Sequence, residues 1–259
     1  DLRLGVELIG VDGFVGNFRS TIAVNGAKET IEHGVAVLAT GGYETRPNEY
    51  LYGRDPRVIT ALGLGQRLSR DDPGLKKVKS AVFIQCVGSR EPARPYCSRL
   101  CCSHTAASAL HLKEQDPDRE VYVLYRDVRT YGERENLYKE AREKGVIFIR
   151  YDLAHKPAVK SGEGGLVVEA IDHVLLRPME IKADLLTLAT AIAPYQDEKL
   201  AQFFKVPMNE DGFFAEAHVK LGPSQFASDG VFLCGLAHYP KPIDESIAQA
   251  QAAASRAVT

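Results

Sequence analysis

Apolar residues recur along this chain with two periods, and the two alternate often enough to define an α/β order. The runs VKSAVFIQCV, EVYVLYR and GVIFIR are short, apolar and rich in β-branched residues, as buried strands are. Between them, SRLCCSHTAASALHLKEQ and the stretch at 134–144 read as helices. The pattern predicts strand 79–87, helix 98–115, strand 120–126, helix 134–144 and strand 146–150, the βαβ alternation of a parallel sheet. Ahead of it, residues 1–40 are strand-like: LRLGVELIG alternates, GFVGNFRSTIAV reads as a strand, Asn25-Gly26 marks a hairpin, and AVLATGG is a buried strand running into a glycine turn. Residues 43–75, rich in Pro, Gly, Arg and Asp, read as a connector with one helix at VITALGLGQRL. Strand-like pieces at 166–171, 173–177 and 184–190 then return the chain to another domain, which closes with the strand GVFLCG and the amphipathic helix PIDESIAQAQAAASRAV.

Composition narrows the class. With 259 residues and 45% hydrophobic content the chain can bury one large or two modest cores. A net charge of -2 and the lack of a long basic run argue against nucleic acid as a partner. No apolar stretch approaches a bilayer span and no signal peptide is visible, so the expected compartment is the cytoplasm. Opening at Asp1 directly in an apolar–polar alternation, the sequence reads as a fragment of a longer polypeptide.

The cysteines carry the chemistry. Four of the five fall in QCVGSREPARPYCSRLCC, a C-x10-C-x3-C-C array of Cys86, Cys97, Cys101 and Cys102. Four thiolates held this closely suit an iron–sulfur cluster or zinc. Cys86 is predicted at a strand's C-terminal end, Cys97 and Cys101 one helical turn apart, and Cys102 rotated about 100° from its neighbour, so that the sulfurs meet at one point. The helix N-terminus is expected to favour thiolate over thiol. Competing readings are a zinc site in which His104 replaces one thiolate, a redox disulfide between Cys101 and Cys102, and plain burial. The seven histidines are scattered, and His104 with His111 marks one helix face.

The succession of a strand ending in ATGG, a βαβ insertion and a return strand ending in GVFLCG resembles the flavoproteins of the thioredoxin reductase type. That resemblance implies an α/β, two-domain, Rossmann-like FAD/NAD(P)-binding architecture. The FAD domain would lie in two pieces, 1–62 and 184–259, around a nucleotide-binding-like insertion at 76–180. Thr40, Gly41 and Gly42, with Gly235, would approach FAD. Lys241 would stand near the flavin pyrimidine edge, and the helix beginning near Ile243 would aim its N–H groups at the flavin C2 carbonyl. A solvated lysine at 241 and ordinary capping by Asp244 and Ser246 are the plainer alternatives. No G-x-G-x-x-G phosphate loop occurs in the sequence, so the FAD domain is expected to be incomplete.

FIQCVGSR, YCSRLCC, HLKEQDPDREVYVLYRDVRTYGERENLYKEAREKGVIFIR, DGFVGNF and YGRDPRVIT are together similar to the heterodisulfide reductase A-subunit family. This implies a [4Fe-4S] cluster on Cys86, Cys97, Cys101 and Cys102, close to FAD, and an electron-transferring oxidoreductase working with other redox subunits, with a homodimer possible. Cys234 falls outside the ligand set and reads as core. An NAD(P)H-dependent disulfide oxidoreductase using Cys101 and Cys102, or a zinc-stabilised interaction domain, are the alternatives. Two departures stand out: TIAVNGAKETIEHG runs through where many members insert a ferredoxin-like module, and Ala107 replaces a helix lysine near the flavin. The first turn of the insertion, CVGSRE, lacks the glycine fingerprint and disfavours nicotinamide. Arg126, Arg129 and Arg134 then read as a solvated or partner-facing patch.

Overall fold

The computed structural model describes every residue except Asn25, Glu163, His173, Leu175 and Asp197. The chain divides into two compact units, Asp1–Tyr43 with Ala193–Thr259, and Glu44–Ile192.

The first unit opens with three antiparallel strands, β1 (Val6–Asp12), β2 (Phe18–Val24) and β3 (Ala27–His33), in the order β1-β2-β3. Val24 pairs with Ala27 around the expected hairpin, of which Asn25 lies outside the described residues. GFVGN is a turn and not the start of a strand, because Gly13 (φ 95) and Gly16 (φ 86) take left-handed conformations, and β2 starts only at Phe18. Next comes β4 (Ala36–Leu38), then β5 (Gly42–Glu44), where the chain leaves for the second unit.

The second unit begins with β6 (Val58–Thr60) and α1 (Ala61–Ser69), so VIT, expected within a helix, forms a strand whose Thr60 caps α1 by accepting from the Gly63 N–H. There follow β7 (Ser80–Val87), α2 (Cys101–Gln115), β8 (Glu120–Tyr125), α3 (Glu135–Glu143) and β9 (Ile147–Arg150). Then come β10 (Ala158–Gly162), β11 (Gly165–Asp172), β12 (Arg177–Ala183) and β13 (Leu185–Thr190). The expected return of the chain near residue 184 does not occur: β13, buried at every position, inserts between β6 and β7 in a parallel sheet of order β6-β13-β7-β8-β9. Residues 44–62 belong to this unit for the same reason, since β6 is its edge strand. A strand apolar on both faces needs cover on both, and it has it. Ala81, Phe83, Val121 and Val123 pack with Leu64, Ala109, Leu112 and Ala141 of the three helices. Val82, Ile84, Leu124 and Leu186 pack with Leu166, Val168 and Ile181 of the antiparallel sheet β10-β11-β12.

The chain re-enters the first unit through β14 (Ile192–Pro194), which pairs with β5. It continues as α4 (Glu198–Phe204), β15 (Val231–Leu233) and α5 (Ile243–Ala257). β15 lies parallel to β4, Leu233 opposite Leu38, over a core that includes Phe18, Phe204, Phe214 and Phe226. Among the described residues no helix is long and apolar enough to cross a membrane.

Candidate functional site

Cys86, Cys97, Cys101 and Cys102 line one tight pocket of the second unit, a space of ≈ 10 Å³ partly open to solvent. Three elements deliver them. Cys86 sits near the end of β7 with φ 59, a left-handed conformation rare for a side chain this size and one that turns the strand into the loop. Arg126, 7% exposed, holds that loop by donating to the carbonyls of Arg90 (2.8 Å), Cys86 (3.4 Å) and Ser89. It is therefore not part of a solvated patch. Arg129 is exposed, and Arg134 lies over the Tyr131 ring at 5.3 Å.

Cys97 is outside the helix, against expectation. Arg99, at φ 59, breaks any helical path between it and Cys101, so α2 begins only at Cys101. Its neighbours fix it instead: the Tyr96 hydroxyl donates to the Ile192 carbonyl (2.9 Å), and the Ser98 hydroxyl accepts from the Ile192 N–H (2.9 Å). Cys101 and Cys102 open α2 and turn apart, one thiol toward the Thr190 carbonyl (3.8 Å) and the other toward that of Asp127 (3.7 Å). All five cysteines are free.

Donors and positive charge surround the sulfurs. The Arg90 guanidinium reaches Cys86 Sγ at 3.9 Å, and the Arg99 N–H donates to Cys97 Sγ at 3.3 Å. Asp127 is held by Arg90, by Arg129 (3.9 Å) and by Arg150 (3.7 Å). Even so, Cys101 and Cys102 are not readied as thiolates. Burial pushes Cys101 well above its ordinary value, with Cys86, Cys102 and Cys97 adding repulsion, and Cys102 is pushed up to about 11, again chiefly by burial. The helix terminus is outweighed by enclosure, so a metal would displace protons on binding.

Among the described residues no three His, Cys, Asp or Glu side chains gather closely enough for a single metal ion. The sulfurs share a pocket without meeting at a point. His104 does not join them, since its Nε2 faces Gly65 of α1, at 3.2 Å from where a Cβ there would stand. With Ala107 and His111 it lies on the exposed face of α2.

In the first unit, the parallel pairing of β4 and β15 sets the residues after each strand side by side, joined by the Cys234 N–H to the Leu38 carbonyl (3.2 Å). Thr40, Gly41 and Gly42 thus follow one strand and Gly235 the other, at the carboxyl end of a parallel pair, where α/β proteins bind ligands. Gly41 (φ 79) and Gly235 (φ 71) are left-handed, and a Cβ on either would meet nothing within 4 Å. Lys241 is 6% exposed and so is not a solvated lysine: its ammonium donates to the Gly235 carbonyl (2.9 Å), His238 Nδ1 (3.0 Å) and Gln249 Oε1 (2.8 Å). His238 Nε2 in turn meets Glu216 at 2.8 Å. Sequence reading missed His238, Glu216 and Gln249: His238 is signalled only by its nearness to Lys241 in HYPK and Gln249 by its place in α5, while Glu216 carries no signal. Ile243 opens α5, 77% exposed, and its N-cap Pro242 provides no side-chain cap. Ser246 donates back to the Pro242 carbonyl (3.1 Å), so it does not act as a cap. Cys234 is buried with Phe232 and Ala253, as expected of core.

No family model matches the chain. The A-subunit of H(2):CoB-CoM heterodisulfide,ferredoxin reductase from Methanothermobacter thermautotrophicus is 38% identical over 246 residues, covering 88% of this chain and 37% of that protein. The iron-sulfur A-subunit of CoB--CoM heterodisulfide reductase from Methanocaldococcus jannaschii is 38% identical over 240 residues, covering 85% and 36%. The chain is homologous to part of the heterodisulfide reductase A-subunit. It spans a little over a third of the length of these curated relatives. Among solved structures, thioredoxin reductase of T. acidophilum superposes with a TM-score of 0.61 at 14% identity, covering 98% of this chain and 73% of that one. An engineered water-forming NADPH oxidase gives 0.57 at 14%, covering 99% and 54%. The fold is thus the thioredoxin reductase-like, Rossmann-type architecture of these oxidoreductases.

Proposed function

We propose that this chain is the flavin- and cluster-bearing part of an electron-transferring oxidoreductase of the heterodisulfide reductase A-subunit kind. The observation that carries the proposal is the single pocket shared by Cys86, Cys97, Cys101 and Cys102 in a chain 38% identical to such proteins. In this reading the four cysteines hold a [4Fe-4S] cluster, and Thr40, Gly41, Gly42, Gly235, Lys241 and the start of α5 at Ile243 hold FAD. When bound, a flavin and a cluster supply conversion between two-electron and one-electron transfer.

The protein's own groups set the conditions. Arg90 and the Arg99 amide give hydrogen bonds to the sulfurs and offset negative charge there. The connection from β7 to α2 is occupied by the cysteines in place of a tight glycine turn, which disfavours a nicotinamide cofactor in this unit. Lys241, already bonded to the Gly235 carbonyl, supplies a fixed cation beside the Gly235 turn. Partners are other redox subunits, met in the cytoplasm, where reducing conditions keep thiols free.

Anaerobic reconstitution with iron and sulfide tests the reading. Brown protein with broad visible absorbance and about four irons per chain is expected. Replacing any of Cys86, Cys97, Cys101 or Cys102 by Ser should abolish it, while C234S should keep it. Retention of zinc without iron, or equal loss in C234S, would overturn the ligand assignment.

A further inference from the structure

A second pocket of the same unit shares Cys102 with the cysteine pocket and is otherwise walled largely by apolar and aromatic groups, among them Val123, Tyr125, Tyr138 and Phe148. Two polar side chains line it, Gln85 and Thr105, each 1% exposed. Gln85 Nε2 and Oε1 and Thr105 Oγ1 have no hydrogen-bond partner among the protein's groups. Their placement follows from the fold. Ala81 and Phe83 of β7 face the helices, and Gln85 continues that face beneath α2. Thr105 stands three residues beyond Cys102 on α2, the spacing of side chains that share a helix face. The strand end is fixed by the Tyr151 hydroxyl, which donates to the Gln85 backbone carbonyl at 2.6 Å.

Buried polar atoms are almost always satisfied, and an exception in a pocket points to a ligand. The space here, like the cysteine pocket partly open to solvent, has room for about one water molecule, and a buried water needs two to four polar partners. The Gln85 amide, the Thr105 hydroxyl and the Cys102 sulfur supply them. A sulfur bound to iron has no proton to give, so it takes hydrogen bonds, and each one favours the more negative, reduced state.

We propose that this pocket holds one ordered water, bonded by Gln85 and Thr105 and donating to the Cys102 sulfur, so that Gln85 is a positioning residue that raises the reduction potential of a cluster held there. The potential shift rests on the function proposed above; the water site does not.

Two measurements on the full-length protein decide it. In the reconstituted protein, Q85L and T105V should load as much iron as wild type. The cluster potential, followed by electron paramagnetic resonance, should fall in Q85L by about a tenfold change in the one-electron equilibrium, about 59 mV. T105V should shift it the same way by less. A fully loaded Q85L with an unmoved potential overturns the tuning role. In the cluster-free protein, Q85L should lower the melting temperature, because it strips the water of a partner and strands Thr105. A rise in melting temperature, as for removal of an unsatisfied group from a dry pocket, overturns the water site. Wild-type protein that binds no iron removes the cluster reading, and with it the potential claim, while the melting experiment still decides the water.

Discussion

Arg126 shows how much of the cysteine site depends on one side chain outside the ligand set. It is buried, and its guanidinium is shared among the carbonyls of Cys86, Ser89 and Arg90, in a loop whose Cys86 and Arg90 both adopt left-handed backbone (φ 59 and 57). Such conformations cost roughly 1–3 kcal/mol each and persist only when their surroundings impose them. Met in place of Arg126 keeps the apolar stem but leaves buried carbonyls without donors. R126M should therefore destabilise the chain by about 2–3 kcal/mol, read by urea denaturation of the cluster-free protein, and should lower iron uptake although every cysteine is retained.

At the level of elements, the connector before β6 is tied to β10 through one carboxylate. Asp55, 8% exposed, accepts from the Arg57 guanidinium at 2.9 and 2.6 Å, from the Arg57 N–H at 3.0 Å and from Ser161 at 3.1 Å. These bonds hold the carboxyl well below the usual aspartate range. A group depressed in the folded state contributes stability that is complete above its unfolded value, about 3.9, and is lost as pH falls below that toward the folded value. The urea midpoint of D55N should accordingly lie below wild type by a constant gap from pH 7 to 5, and the gap should narrow as pH drops below about 4. A gap that widens on acidification would refute the assignment. Elements of this kind were partly legible in the sequence. The βαβ core was readable because its strands are unbroken apolar runs and α3 carries a plain 3.6 period. The start of α2 was not: a four-residue spacing of Cys97 and Cys101 is equally compatible with a loop, and only the left-handed Arg99 decides between them. Likewise β13 could not be assigned to a unit from its own residues, because a fully apolar strand fits the middle of any parallel sheet. Lys241 was legible as a candidate, but its burial depends on His238 and Gln249, which carry no motif.

For the whole molecule, the two units differ in how the chain builds them. Glu44–Ile192 is continuous, while the other unit combines Asp1–Tyr43 with Ala193–Thr259 and needs both segments. The continuous unit has cover on both faces of its sheet, and its ends are already adjacent, with the Thr45 N–H bonded to the Ala191 carbonyl at 2.8 Å. It also contains all four array cysteines and the groups that hold them, including Tyr96, Ser98, Arg126 and Ile192. A segment with its own core and neighbouring termini is expected to fold alone. Residues 44–192 expressed by themselves should give native-like circular dichroism and a single cooperative urea transition. Reconstituted anaerobically, they should take up about four irons per chain without flavin. Residues 193–259 alone should show no cooperative transition, because β15 loses β4, its parallel partner, and the core around Phe214 and Phe226 loses Phe18 and Leu38. If the excised 44–192 segment folds cooperatively but takes up no iron, the cysteine pocket needs groups from outside this unit, and the assignment of a self-contained cluster site fails.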